Sequence, residues 1–165
     1  MSGMYGMNIK MAIYGESHGT SIGLVIDGVP PGLKLDLEAI EKEMARRAPG
    51  KNQLSTQRKE SDSFAIQSGF FEGYTTGTPL CVVIKNSDQH SKDYSILKDK
   101  MRPGHADYAG FVRYQGFNDY RGGGHFSGRL TAPLVFIGAV AKQALAQEGM
   151  LVGAHILQIA DIKEE

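Results

Sequence analysis

A run of three consecutive glycines, Gly122–Gly124, restricts the fold more than any other feature, because it stands directly before an apolar stretch that begins at Thr131. Glycine adopts backbone conformations that are closed to other residues, and it lets a ligand approach main-chain N–H groups closely. We therefore predict a loop at the glycines and a helix that begins at Thr131, immediately after the loop.

The residues around this loop favour an anion. A helix start offers unpaired N–H donors and the positive end of the helix dipole, and Arg121 and Arg129 flank the glycines, where they can make bidentate contacts. The spacing matches neither the P-loop nor the Gly-x-Gly-x-x-Gly dinucleotide pattern. The residues alone leave two alternatives equally open, a phosphate site and a plain flexible turn.

Length and composition predict one soluble domain, residues 1–165. Eighteen basic and eighteen acidic residues cancel, so whole-chain charge indicates no nucleic-acid partner. No apolar run approaches the about 20 residues of a membrane span, and the amino terminus has no secretory pattern, so we expect no membrane partner and a cytoplasmic location. Cys81 is the only cysteine, which excludes an internal disulfide, and its apolar surroundings predict an inert core residue.

The periodicity of apolar residues predicts an α+β fold with a mixed sheet packed on helices. Strands are predicted on both sides of "ESHGT" over 8–28, over 64–73, over 78–86 and over 151–162, and helices over 36–48 and 131–148. Asp36 is the predicted N-cap of the first helix. The predicted buried stripes are Leu37, Ile40, Met44 and Ala48 in the first helix, and Leu134, Ile137, Ala141 and Leu145 in the second.

The sequence "GESHG" places Ser17 and His18 between two glycines at the end of a predicted strand. A histidine in such a loop can take or give a proton near neutral pH. The pattern also satisfies the Gly-x-Ser-x-Gly of serine esterases, but an esterase needs a helix after the serine and the next residues predict a strand. The esterase is therefore the disfavoured alternative.

A second histidine lies in "RPGHAD", where Asp107 could orient His105 as a general acid. Taken in isolation, a histidine in a polar turn is the simpler interpretation. His90 and His155 are expected to be structural or merely exposed. No two histidines share a helix face with a carboxylate cluster, so we expect no metal site.

Together these motifs resemble the chorismate synthase family. "GESHGTSIG" followed by "DGVPPG" is similar to the family's amino-terminal signature, "RPGHADY" to its central signature and "YRGGG" with the following serine and arginine to its glycine-loop signature. The segment "RRAPGKNQLSTQRKESD" resembles the family's arginine-rich segment, and the order of the motifs agrees. The resemblance runs from about residue 15 to the end of the chain.

The resemblance implies a lyase of the shikimate pathway, which supplies aromatic amino acids. The implied reaction is the anti 1,4-elimination of phosphate from 5-enolpyruvylshikimate 3-phosphate to give chorismate. Reduced FMN is the implied cofactor, with no net redox change, and it stays open whether NADPH also binds. The implied full-length assembly is a homotetramer. Substrate and flavin are both phosphorylated, which accounts for arginines concentrated locally in a neutral chain.

The resemblance also implies roles for individual residues. His18 corresponds to a histidine beside the reduced flavin, and His105 to one that protonates the departing phosphate, whose developing charge must be neutralised. The implied substrate-binding residues are Ser17, Arg46, Arg47, Arg58 and Arg129. The implied flavin-binding residues are Arg47, Gly124, His125, Phe126 and Ser127.

The chain departs from the family pattern in two respects. Many members have Arg-Ser-Ser-Ala-Arg where this chain has residues 125–129, and Gln53 stands where an arginine is often found. Family chains are also more than twice this long, so we expect residues 1–165 to be an incomplete domain, about half of a sheet–helix–sheet sandwich, whose last strand lacks partners. A non-catalytic flavin- or phosphate-binding remnant is the alternative to an active lyase.

Overall fold

A computed structural model describes residues 4–48, 61–87 and 98–164. Most of the polar loop predicted after the first helix lies outside these ranges, as do Gln53, Arg58 and His90. The strands in chain order are β1 (Met4–Tyr5), β2 (Lys10–Gly15), β3 (Ser21–Asp27), β4 (Phe64–Ser68), β5 (Phe70–Phe71), β6 (Tyr74–Thr75), β7 (Leu80–Lys85), β8 (Gln158–Ile159) and β9 (Ile162–Lys163). The α-helices are α1 (Leu37–Arg47), α2 (Asp107–Arg113) and α3 (Thr131–Gln147).

A five-stranded sheet organises the described residues, in the order β1-β2-β3-β7-β4, and each neighbouring pair is antiparallel. The strands predicted over 8–28 are β2 and β3, joined by the loop that carries His18. The strand predicted over 64–73 divides at Gly69, after which β5 and β6 form a small hairpin. The sheet with its helices confirms the predicted α+β fold.

One face of this sheet is covered by α1 and α3, which pack against each other, while α3 also contacts β3. Burial at every second position of a strand is typical of a sheet with one covered face. The side chains that are 0% exposed on the two central strands are Ile22, Leu24 and Ile26 of β3 and Leu80, Val82 and Ile84 of β7. The ring of Phe136, from α3, meets that of Phe64 edge-on at 4.9 Å between centroids.

The first helix begins as predicted. The Asp36 side chain accepts a hydrogen bond from the Ala39 backbone N–H at 3.0 Å, and Ile40 and Met44 are buried. The side chain of Gln143, on α3, accepts from the Asp36 N–H at 2.8 Å and donates to its carbonyl at 2.9 Å. The start of α1 is therefore fixed to α3 by both groups of one amide.

The position of α3 was predicted correctly, but its buried face was not. The predicted stripe includes Leu134, which is 42% exposed. The residues that α3 buries are Ala132, Pro133, Phe136, Ala139 and Val140. Because the helix is apolar on nearly every side, periodicity could not choose the face, and packing against the sheet decided it.

By length and composition alone, the helical stretch Arg121–Gln147 would suffice to cross a membrane. However, its first turns are irregular at the glycines, and the regular part, α3, is about 25 Å long. A core helix can be as long and as apolar as a membrane span, and α3 buries side chains against the sheet as a core helix does. Length and composition therefore do not identify a membrane span here.

The other face of the sheet carries a small polar contact. The Tyr14 hydroxyl donates to the Val82 carbonyl at 3.0 Å, directly over Gly23, and burial raises the pKa of Tyr14. Cys81 lies on this face, since it alternates with buried neighbours along β7. The cysteine predicted to be a core residue is half-buried there.

The strand predicted over 151–162 was wrong. Only β8 and β9 form, and they pair with each other rather than with the five-stranded sheet. Leu151 is 93% exposed and Leu157 68%. Apolar and β-branched residues favour a strand, but a strand forms only where a neighbouring strand supplies its hydrogen bonds. No described strand of the five-stranded sheet pairs with this segment.

We predict that Phe136→Ala lowers the free energy of unfolding by about 3–5 kcal/mol, because it removes a fully buried ring and leaves a cavity. Leu134→Ala, on the same helix but 42% exposed, is the matched control and is expected to cost well under half as much. Urea unfolding of both variants measures the difference. Equal losses would contradict the assignment of the buried face.

Candidate functional site around the glycine loop

The glycine loop, Arg121–Phe126, is an irregular 3-10 turn rather than a regular helix. Gly122 and Gly123 have φ angles of 57° and 84°, in the left-handed region that residues with side chains rarely adopt. A second short turn, Gly128–Leu130, follows, and α3 begins directly after it. The predicted loop at the start of this helix is confirmed.

Glycine is also required for space, because two histidines pack against these residues. A methyl group on Gly122 would lie 2.5 Å from Nε2 of His18, and one on Gly123 would lie 2.8 Å from Cε1 of His105. Consecutive Cα atoms are about 3.8 Å apart. The structure therefore places the imidazoles of two distant motifs against neighbouring residues of one turn.

Ser17 and His18 lie in the loop between β2 and β3 and are 2% and 7% exposed. The Ser17 backbone N–H donates to the Gly124 carbonyl at 3.0 Å, which joins this loop to the glycine loop through the main chain. Because Ser17 is buried and β3 follows it, the geometry is not that of a nucleophile elbow. The esterase alternative fails for this reason.

His105 belongs to a compact group of charged side chains at the start of α2. Its Nδ1 lies 2.7 Å from Oδ1 of Asp107, and Arg102 donates to the same carboxylate through Nε at 2.8 Å and through its backbone N–H at 3.0 Å. The hydrogen bonds from Arg102 hold the pKa of Asp107 well below its usual range. An ionised carboxylate only accepts hydrogen bonds, so Nδ1 of His105 carries a hydrogen and Nε2 is the nitrogen against Gly123.

A second arginine–aspartate pair lies at the entry to the glycine loop. Arg121 donates to the Asp119 carboxylate through Nε at 2.9 Å and through its terminal nitrogen at 2.7 Å. These hydrogen bonds lower the pKa of Asp119, and the nearby His18 acts in the same direction. Asp119 in turn raises the pKa of Arg121. The pair fixes Arg121, which the sequence predicts at an anion site, beside His18.

Two of the predicted substrate-binding arginines share a buried aspartate. Arg47 donates through Nε to Asp62 at 2.8 Å, and Arg129 donates to the other carboxylate oxygen of Asp62. The Asp62 side chain is 0% exposed and that of Arg129 3%. Arg47 also reaches the Thr131 hydroxyl at 3.5 Å. The structure therefore brings Arg47 and Arg129 together, with Arg129 inside the protein.

The other predicted binding residues are not all in this group. Arg46 pairs with Glu43 on the exposed side of α1, and its side chain is 71% exposed. His125 donates through Nδ1 to the carbonyl of Gly15, the last residue of β2, at 2.8 Å. Phe126 packs on Gly110 of α2. Arg58 lies outside the described residues.

Ser127 contributes locally to the turn before α3. Its hydroxyl oxygen accepts from the Arg129 backbone N–H at 3.3 Å, so it helps to set the direction in which the arginine leaves the main chain.

A cleft of about 210 Å³ opens beside the glycine loop. Its walls include Asp107, Asp119, Gly123 and Phe126. In the described part of the chain, no three metal-ligating side chains converge.

Sequence reasoning missed four residues of the site. They are Asp62, Asn86, Arg102 and Asp119. Arg102 was visible in "RPGHAD", three positions before its histidine, and Asn86 is a polar residue directly after an apolar strand. Asp62 carried no local signal, because its importance comes from two arginines that are distant in sequence.

Taken together, fold and site define an α+β protein whose glycine loop gathers two histidines and arginine–aspartate pairs, a set of groups suited to a phosphorylated anion. The chorismate synthase family model matches residues 9–165, and the chain belongs to the chorismate synthase family.

Individual relatives agree with this assignment. A chorismate synthase from Cytophaga hutchinsonii is 46% identical over 99% of this chain and 45% of its own length. One from Pyrococcus abyssi is 49% identical over 97% of this chain and 45% of its own. A crystal structure of chorismate synthase superposes with a TM-score of 0.60 at 30% identity, over 87% of this chain and 35% of that one. The chain thus spans less than half the length of these relatives.

We predict that Gly122→Ala displaces His18, because the added methyl group would lie 2.5 Å from Nε2 at a φ of 57°. The expected cost is about 1–3 kcal/mol in unfolding free energy, with shifted His18 imidazole resonances in NMR spectra. Gly128→Ala is the matched control, since nothing lies within 4 Å of its added methyl group. Unchanged His18 resonances in Gly122→Ala would contradict the packing described here.

We predict that Asp107→Asn lowers the free energy of unfolding by about 1–3 kcal/mol at pH 7, because hydrogen bonds from Arg102 favour the ionised carboxylate. A lowered folded-state pKa stabilises the protein fully above the ordinary value of 3.8 and loses this contribution as pH falls below it. The gap between wild type and variant should therefore begin to narrow as pH falls below 3.8, and should go on narrowing toward the lower folded-state pKa.

Urea unfolding at pH 7 and pH 3 measures the effect. Asp27→Asn is the control, since Asp27 is exposed at the end of β3. If the difference in unfolding free energy between wild type and Asp107→Asn is the same at both pH values, the charge of Asp107 is not what stabilises the protein.

Proposed function

We propose that this protein performs chorismate synthase chemistry, the anti 1,4-elimination of phosphate from 5-enolpyruvylshikimate 3-phosphate. The observation that carries the proposal is the packing of His18 and His105 against adjacent glycines of one loop. In the reaction a ring C–O bond to phosphate and a ring C–H bond break, and the product contains one more carbon–carbon double bond. The products are chorismate and phosphate, and no oxidant is consumed.

His105, in its imidazolium form, is the proposed donor of the Nε2 proton to the departing phosphate, and its Nδ1–H stays on Asp107. Asp107 holds Nδ1 at 2.7 Å, which directs Nε2 away from the carboxylate and toward the glycine loop. Arg102 lies 3.2 Å from the ring nitrogens, so a leaving phosphate at Nε2 would also meet a guanidinium. A proton and a fixed positive charge at the leaving oxygen both stabilise the developing negative charge.

Reduced FMN is the proposed cofactor, and the glycine loop fits such a group. With positive φ angles and no side chains, Gly122 and Gly123 leave the main chain accessible beside the two imidazoles. We propose that Gly124, His125, Phe126 and Ser127 contact it, with His125 and Phe126 acting through their main chain. When bound, the reduced flavin supplies electron density transiently to the substrate and recovers it, without net redox change.

His18 is the proposed residue that holds a proton beside the flavin ring. It is 7% exposed, lies against Gly122 and has the Asp119–Arg121 pair nearby. A buried imidazole between fixed charges keeps one orientation, and so can hold or release a proton at a defined atom. Ser17, beside it, is the proposed substrate contact of this loop.

The arginines are proposed to bind the anionic groups of substrate and cofactor. Arg47, with its side chain 17% exposed at the end of α1, and Arg58 are the direct candidates, together with the exposed Arg46. Arg129 is deeply buried on Asp62, so we propose that it acts mainly by holding Arg47 and the start of α3 in position. Binding of NADPH, a cytoplasmic location and a homotetrameric assembly are further parts of the proposal that the family membership supports.

A non-catalytic flavin- or phosphate-binding remnant is the second candidate, favoured by the departure of residues 125–129 from the glycine-loop pattern of many family members. One anaerobic assay with reduced FMN and 5-enolpyruvylshikimate 3-phosphate separates the two. Release of phosphate supports the lyase. A ligand-induced change in flavin absorbance without phosphate release supports the remnant, and the absence of both effects contradicts both candidates.

We predict that His105→Ala lowers the turnover number by about 10²–10⁴-fold while substrate binding changes little, because proton donation acts mainly in the transition state. His155→Ala is the control, since His155 is exposed and pairs with Glu164 near the end of the chain. Phosphate release and substrate affinity are measured in a form of the protein that turns over. Equal loss of turnover and affinity would mean that His105 only positions the substrate.

A further inference from the structure

Asn86, the residue directly after β7, touches the loop that carries His18 at four points. Its side-chain nitrogen donates toward the carbonyls of Glu16 at 3.1 Å, Ser17 at 3.3 Å and Gly19 at 2.8 Å. Its backbone N–H donates to the Thr20 carbonyl at 3.1 Å. One half-buried residue therefore contacts nearly every carbonyl of the loop between β2 and β3.

The orientation of this amide is determined by its neighbours. Three carbonyl oxygens surround the nitrogen, and Nε of Arg129, which can only donate, lies 3.0 Å from the amide oxygen. The reversed amide would place its oxygen against three acceptors and its nitrogen against a donor. An aspartate at this position could accept from Arg129 but could not donate to the loop, so the site requires the chemistry of asparagine.

The amide joins two parts of the structure. On one side is the buried ion pair of Asp62 and Arg129. Arg129 also donates to the Lys85 carbonyl at 3.3 Å. On the other side is the His18 loop, whose opposite edge is fixed by the hydrogen bond from Ser17 to the Gly124 carbonyl at 3.0 Å. The loop is thus attached to the sheet through Asn86 and to the glycine loop through Gly124.

We infer that Asn86 is a positioning residue, which sets His18 against the glycine loop by donating to the carbonyls of Glu16, Ser17 and Gly19. The catalytic consequence of this placement rests on the proposed function, whereas the placement itself does not. Asn86 reaches His18 through the loop main chain rather than through a contact with substrate or cofactor. Removal of the Asn86 amide should make the His18 loop more mobile, while the sheet and the buried Arg129–Asp62 ion pair stay in place.

Native-state hydrogen exchange of the 165-residue chain, followed by NMR, tests the placement with Asn86→Asp and Asn86→Ala. The aspartate is nearly isosteric and keeps the acceptor for Arg129, so it removes the donors to the loop alone. We expect the protection of the Gly19 amide, which donates to the Glu16 carbonyl at 3.0 Å, to fall about 10- to 100-fold in both variants. The Leu24 amide, at the centre of the sheet, is the internal reference and should keep its protection.

Two results would overturn the inference. The first is unchanged Gly19 protection and unchanged His18 imidazole resonances in both variants. The second is an effect in Asn86→Ala that Asn86→Asp restores to the wild-type level, because Asn86 would then act only as an acceptor for Arg129. Should Asn86→Asp fail to fold, the first criterion is applied to Asn86→Ala, whose side chain introduces no charge.

The catalytic consequence is measured separately in a form of the protein that turns over. Asn86→Asp should lower kcat about 10²-fold, the typical effect of a small misplacement in a site, with a much smaller change in KM. Wild-type kcat with a freed loop would overturn the functional part of the inference. Because the exchange experiment needs no activity, failure of the proposed function would leave its result interpretable.

Discussion

The buried carboxylate of Asp62 connects the two core helices with the edge strand β4. It accepts from Arg47 at the end of α1 and from Arg129 just before α3, and it lies two residues ahead of β4. A buried charge must be paired, and removal of one partner from such a group typically costs about 3–5 kcal/mol. One aspartate thus fixes the relative positions of both core helices and one edge of the sheet.

Hydrogen bonds connect the Asp62 group with the site around the glycine loop. Arg129 donates to Asn86, whose amide nitrogen reaches the carbonyls of the loop before β3. That loop places His18 against the first glycine of the turn. The second glycine contacts His105, which is held by Asp107, the first residue of α2, and by Arg102, which lies before α2 in the chain. The imidazoles are thus fixed by neighbouring side chains and main-chain groups, an arrangement in which supporting residues matter as much as the reactive ones.

Local patterns in the chain account for much of the fold. The N-cap at Asp36, the strands around residues 8–28 and the start of α3 after the glycines follow from capping, alternation and backbone freedom. These rules failed where local composition was uniform or where a neighbour was required. The apolar surface of α3 did not reveal which side it buries, and the apolar stretch over 151–162 did not form the strand that its composition suggested.

The same division holds in the site. The motifs around His18, His105 and the glycine loop were visible as unusual local combinations, and their similarity to one family gave them an order. Asp62 and Asn86 were not visible, because a buried carboxylate or a loop-bound amide is defined by partners 15 to 70 residues away rather than by its neighbours in the chain. Arg129 was recognised as important, but its near-complete burial was not foreseen.

Local sequence patterns were enough to predict the α+β class, the loop at Gly122–Gly124 and the histidines and arginines beside it. Only the folded chain shows that the two imidazoles meet adjacent glycines, and that Arg129 turns inward to Asp62 while Arg46 points to solvent. It also shows that Asn86 connects Arg129 with the loop that carries His18. The physical reason is that conformational preference acts within a few residues of the chain, whereas burial of a charge and pairing of a donor depend on segments that only folding brings together.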